Sequence, residues 1–196
     1  LEEFPPSLFD LSTLFELDLS NNKLNGELVF RDLRELEVLN ISNQNNADSS
    51  KIEKLIIDNT GSSITELYAS NNHIKEFSYI PRTSKTSYLR HLKTVDLSYN
   101  KFTKFPYLLY NNKLIKKIDL SNNQITTFHC NDYPVLQKLD LSNNNLKNII
   151  CEKLHGFLQL EELNLSNNPN LTDIPITLFN SSNNLKIINI TNTNLD

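Results

Sequence analysis

The chain has 196 residues, 38% of them hydrophobic, and a formal net charge of -4, which allows a sizeable core and gives no strong pull toward nucleic acid or anionic membrane. No apolar run approaches the roughly 20 residues of a membrane-spanning helix, and no segment reads as a leader. Thirty asparagines stand against three glycines, and many of those asparagines recur at a fixed place.

In chain order, residues 1–11 read as the returning half of a rung, with Leu1 and Phe4 inward, Pro5 and Pro6 holding an extended run, and Phe9 plugging the core. From Leu14 onward one eleven-residue pattern returns, L-x-x-L-x-L-x-x-N-x-L, with copies starting at Leu14, Leu36, Ile64, Leu92, Ile115, Leu136, Leu160 and Leu185. Within each copy two aliphatic residues flank one polar residue, which is strand periodicity, so Leu139 and Leu141 point inward and Asp140 outward. One copy cannot bury this edge alone, so the copies stack, each strand pairing in parallel with the next. The asparagine carries both donors and an acceptor, and Asn22, Asn72, Asn100, Asn123, Asn144 and Asn168 are expected to form a buried ladder that satisfies turning backbone. Gln44 and Thr193 replace it in two copies, where looser turns are expected.

The spacings are 22, 28, 28, 23, 21, 24 and 25 residues. Inside the first long one, Ile52, Leu55 and Ile57 lie too close to Ile64 for a separate rung. Residues 52–57 are therefore an extra strand on the convex or return side, followed by an Asp58-Asn59-Thr60-Gly61 turn. The second long spacing contains residues 78–90, rich in Ser, Thr and basic residues, which read as a bulging loop. Phe30, Tyr110, Phe157 and Phe179 precede later strands and read as a second core layer.

The pattern is fullest over residues 136–146 and resembles that of the leucine-rich-repeat family. The resemblance covers essentially the whole chain. It implies an α/β solenoid: a right-handed horseshoe with a parallel concave β-sheet and a mostly irregular or 3-10 convex side. It also implies one domain over residues 1–196, with about eight repeats after a partial leading one. The ends fall mid-repeat without evident caps, so a piece of a longer array is expected. Residues 171–179 resemble the longer repeat subtype common in extracellular members.

No nucleophile elbow, phosphate-cradling loop or paired-acid motif occurs, and neither an enzyme nor a cofactor is expected. The resemblance implies protein recognition on the concave and lateral surface, with another protein as partner, no nucleic acid and no membrane insertion by this segment. The residue between the two strand aliphatics is Asp or Asn in every copy except one, where it is Tyr68. Glu66 shares its face, and Thr94, Asp96 and Tyr99 follow in the next rung. Exposed tyrosine gives large contact area at low entropic cost. Lys and Arg against Asp and Glu count 5 to 12 over residues 1–60, 10 to 4 over 61–120 and 4 to 7 over 121–196. The basic middle third, with Lys75, Arg82, Lys85, Arg90 and Lys93 around the loop, reads either as a solvated loop or as a docking patch for an acidic surface.

Cys130 and Cys151 each fall five residues after the last aliphatic of their repeat. Equivalent positions in adjacent rungs lie within disulfide reach, and stacked free thiols fit the same spacing. His129 and His155 lie nearby, but their spacing matches no zinc module. Five N-x-Ser/Thr sequons are about what composition gives by chance, and only Asn180, in a loop, is a natural glycan acceptor. Two settings follow: an extracellular or cell-surface receptor, adhesion or innate-immune-like recognition protein, or a cytoplasmic scaffold of a signalling protein. The redox state of the cysteine pair distinguishes them.

Overall fold

The computed structural model describes residues 1–45, 51–57, 63–79, 89–110, 112–130, 133–151, 157–180 and 182–195. The expected Asp58–Gly61 turn and most of the 78–90 loop lie outside them. In chain order the strands are β1 (Glu16–Asp18), β2 (Gly26–Phe30), β3 (Val38–Asn40), β4 (Ile52–Ile57), β5 (Glu66–Tyr68), β6 (Glu76–Tyr79) and β7 (Thr94–Asp96). They continue as β8 (Lys117–Asp119), β9 (Thr127–His129), β10 (Lys138–Asp140), β11 (Asn148–Ile150), β12 (Glu162–Asn164) and β13 (Ile187–Asn189).

Eight of these form one sheet in the order β1-β3-β5-β7-β8-β10-β12-β13. Every neighbouring pair is parallel, with the central aliphatics in register: Leu17 with Leu39, then Leu67, Val95, Ile118, Leu139, Leu163 and Ile188. From Leu17 to Leu163 these residues are buried, and the second aliphatics, such as Ile41, Leu97 and Leu141, are wholly so. Burying each such side chain contributes about 1.5–3 kcal/mol, which is what drives the stacking.

The asparagine ladder exists, buried from Asn72 to Asn168 and half-buried at Asn22. Asn100 donates through Nδ2 to the carbonyls of Ala69 (2.9 Å), Leu97 (3.1 Å) and Ser98 (3.1 Å), and its Oδ1 accepts from the Ile74 amide at 2.9 Å. Asn123, Asn144 and Asn168 repeat the arrangement. Gln44 does so too, against the expectation of a looser turn. It is fully buried, donates to the Leu19 carbonyl at 2.9 Å and accepts from the Leu24 amide at 2.9 Å. The extra methylene lengthens the reach without changing the amide's donors and acceptor. Thr193 has no amide, and its hydroxyl donates only to the Ile190 carbonyl at 2.8 Å.

The return side is more regular than the sequence implied. The 52–57 strand is present as β4, but it is not an extra one. It pairs in parallel with β2 and β6 in a three-stranded sheet, and β9 pairs with β11 in a two-stranded one. Lys54 sits between Glu27 and Glu76 of the flanking strands at 3.5 and 3.4 Å. Among the described residues the return side also carries 3-10 helix at Pro6–Asp10 and Tyr107–Leu109 and one short helix, α1 (Ile176–Asn180). Residues 6–10 are thus coiled, not extended, because Pro6 at a helix start presets φ and its missing N–H has no partner to lose. Phe30 and Phe157 are buried plugs, while Tyr110 and Phe179 are half-buried against the core.

Candidate recognition surface

Strands β5 and β7 pair with Glu66 beside Thr94 and Tyr68 beside Asp96. Alternation turns Leu67 and Val95 into the core, so these four side chains share the outer face of the sheet, all half-buried. The Tyr68 hydroxyl donates to Glu66 Oε2 at 2.7 Å, which pins the ring. That bond to a carboxylate, with burial second, pushes the Tyr68 pKa up to about 12, so the phenol stays neutral. Asp96 Oδ1 accepts from the Ser98 amide at 2.9 Å and its hydroxyl at 2.7 Å, closing the turn that leads to Tyr99.

Tyr99 breaks a rule that the other rungs keep. The residue before each ladder position is left-handed, with φ between 52° and 59°. It is Asn21, Asn43, Asn71, Asn122, Asn143, Asn167 or Asn192 in seven rungs and Tyr99, at 52°, in the eighth. Asparagine tolerates this conformation because its short polar side chain bonds locally, whereas a bulky residue is strained there. Tyr99 is also 59% exposed, so no core packing offsets the strain.

The ladder edge beside Tyr99 is cationic. Lys51 donates to Asn71 Oδ1 at 3.0 Å. His73 has its pKa lowered, first by burial and then by the charges of Lys101 and Lys51, against the raising effect of Glu53, which itself holds Lys75 at 3.2 Å. Lys75 and Lys101 belong to the basic middle third of the chain and Lys51 to the acidic first third. Arg90 is exposed at the foot of β7, its Nε donating to His91 Nε2 at 3.1 Å. Arg82 and Lys85 lie outside the described residues.

Farther along the concave sheet Asp96, Asp119 and Asp140 stand in register on adjacent strands. With Thr94, Lys117 and Lys138 they line a depression of about 410 Å³. The Asp119 carboxyl has its pKa raised, first by burial and further by Asp140 and Asp96, against the lowering effect of its Ser121 bonds. Asp or Asn fills this row in every rung but one, so apart from Asp96 the sequence did not single it out, nor did it single out Lys51 and Lys101 of the ladder edge, although Lys101 directly follows the ladder residue Asn100.

Cys130 and Cys151 close a disulfide with Cα atoms 4.8 Å apart, at the ends of the paired strands β9 and β11. His129 is exposed beside it, and His155 is outside the described residues. Asn180 is exposed at the end of α1. The sequon asparagines Asn40, Asn164 and Asn189 are engaged on the sheet, their Oδ1 atoms accepting from the amides of Ser42, Ser166 and Thr191.

The family model described as Leucine Rich Repeat matches residues 13–32, 91–112, 135–157 and 159–181. The chain carries leucine-rich repeats. A solved structure similar to it is the leucine-rich repeat domain of LRIM1, with a TM-score of 0.66 at 20% identity over 95% of this chain and 70% of that one. No curated protein matches the chain at significance. Leucine-rich-repeat domains are typically non-catalytic modules for binding other proteins, and the fold implies a protein partner. Among the described residues no helix is long and apolar enough to cross a membrane.

Proposed function

We propose that this leucine-rich-repeat protein recognises a protein partner through the third and fourth rungs, on the concave sheet and its ladder edge. Glu66, Tyr68, Thr94, Asp96 and Tyr99 make the contact, and Arg90 with the ladder-edge lysines favours an acidic partner surface. The observation that carries this reading is Tyr99, an exposed aromatic held in a strained backbone position where every equivalent residue is asparagine. Strain retained at an exposed residue is a signature of binding sites, and tyrosine is enriched among residues that dominate binding energy.

The proposed setting is extracellular or at the cell surface, as part of a receptor, adhesion or secreted recognition protein. The Cys130–Cys151 pairing supports it, because disulfides persist in oxidising compartments. An exposed Asn180 sequon fits the same setting. The test is a binding screen of the chain against an array of extracellular proteins, repeated with Tyr68→Ser and Tyr99→Ser. A partner bound by the parent and weakened by about fivefold or more in each variant supports the site; one bound equally by all three places it elsewhere.

A further inference from the structure

Of the chain's five N-x-Ser/Thr sequences, folding engages a side chain in four and leaves one free. On the concave sheet Asn40 donates its Nδ2, the atom that an oligosaccharide joins, to Asp18 at 3.2 Å, and Asn164 donates its own to Asp140 at 2.9 Å. Asn189 Oδ1 accepts from the amide and the hydroxyl of its own Thr191, at 3.1 and 3.0 Å. Asn180, the acceptor that the sequence favoured, is exposed. Its partner residue Ser182 is not: it is buried, and its hydroxyl donates to the Leu178 carbonyl at 2.7 Å.

Asn170, in the sequence Asn170-Leu171-Thr172, sits differently. In the third, fourth and fifth rungs one residue separates the ladder asparagine from the next buried side chain: His73 before Ile74, Lys101 before Phe102, Gln124 before Ile125. In the seventh rung there are two, Pro169 and Asn170, before Leu171. The ladder does not move to absorb the extra residue, since Asn168 still donates to the Leu141 and Leu165 carbonyls at 3.0 and 2.9 Å. The Leu171 amide closes back on the Asn168 carbonyl at 3.0 Å, and Leu171 is fully buried. The insertion is therefore thrown outward. With Leu171 turned in, Asn170 and Thr172 on either side of it are both exposed, and neither side chain has a hydrogen-bond partner among the described residues.

We propose that Asn170 carries an N-linked oligosaccharide and is preferred over Asn180 as its acceptor, an inference that rests on the extracellular setting proposed above. A bond forms between Asn170 Nδ2 and the anomeric carbon of an oligosaccharide held on a polyprenyl diphosphate in the secretory pathway. The bond from that carbon to the diphosphate oxygen breaks, the diphosphate leaves with the electron pair, and the amide gives up one proton. The transferase reads both the asparagine amide and the hydroxyl two residues on. Transfer competes with folding, so a sequence that loses either group as the rungs close is a poorer acceptor than one that keeps both outward. The attached glycan is bulky and must stand in water. At Asn170 it displaces no hydrogen bond of the fold, whereas at Asn40 or Asn164 it would break the contact to the neighbouring strand's aspartate.

The test is peptide mapping of the protein isolated from its natural source. Peptide N-glycosidase in heavy-oxygen water turns each glycan-bearing asparagine into a labelled aspartate, and an unreduced portion of the same sample reports the Cys130–Cys151 bond. The proposal predicts label at Asn170, in greater fraction than at Asn180. A bonded cysteine pair with Asn170 unlabelled, or labelled less than Asn180, overturns the site and leaves the extracellular reading standing; free thiols with no label anywhere overturn both. A second arm passes the chain through the secretory pathway of cultured eukaryotic cells. There Asn170→Gln and Thr172→Ala, both at exposed positions, should each remove the main glycan, read as a gel shift of one oligosaccharide, while Asn180→Gln leaves it in place. The reverse pattern, or no glycan on the parent, would overturn the assignment.

Discussion

Asn123 and Phe102 are joined across adjacent rungs: the Phe102 amide donates to Asn123 Oδ1 at 3.0 Å. The same side chain returns its Nδ2 to the Leu97 carbonyl of that rung, also at 3.0 Å. Its Nδ2 also reaches the carbonyls of Leu120 and Ser121 at 3.1 Å, so one amide closes its own turn and fixes the height of the preceding rung. Unlike the leucines, which only demand burial, this contact sets register.

Replacing Asn123 with alanine leaves buried backbone donors and acceptors unpaired, so the loss should be about 2–4 kcal/mol in urea unfolding. Asn145→Ala, one position beyond a ladder residue and exposed, should stay within about 0.5 kcal/mol of the parent. Equal effects from the two would mean that the ladder contributes nothing special.

The disulfide closes a 21-residue separation. Cys130→Ser with Cys151→Ser should lower stability by about 3 kcal/mol by freeing the unfolded chain. Reductant should lower the parent equally and leave the double variant unaffected. A parent indifferent to reductant would show that the pair is not bonded in solution.

Burial and the two flanking carboxylates raise the Asp119 pKa above its ordinary 3.8. Its contribution to stability is therefore complete below the unfolded value and is lost as pH rises through the higher folded value. Asp119→Asn keeps an acceptor for the Ser121 amide, as Asn164 does for Ser166. The variant should be the more stable protein at pH 7, with the difference disappearing below about pH 3.8. A variant less stable than the parent at pH 7 would contradict the assignment.

The concave half of the fold was legible because its signals are local and repeated: a two-residue alternation copied eight times and an amide at constant distance in seven of those copies. The return half was not. Thr127-Phe128-His129 and Asn148-Ile149-Ile150 are three-residue strands whose pairing depends on neighbouring rungs, and only the longer Ile52–Ile57 stood out. Gln44 keeps the ladder because its amide has the same donors and acceptor as asparagine's and its extra methylene only lengthens the reach. Tyr68 and Tyr99 stood out as departures from a repeat, but the strain at Tyr99 required a backbone angle.

Tyr99→Asn gives the most direct test of the functional account, with urea unfolding and partner affinity measured on the same preparation. Asparagine relieves the left-handed strain, so the variant should be more stable by about 0.5–1 kcal/mol, while binding its partner about fivefold or more weakly. A variant that is no more stable and binds as the parent does would show that Tyr99 is neither strained nor part of the recognition surface.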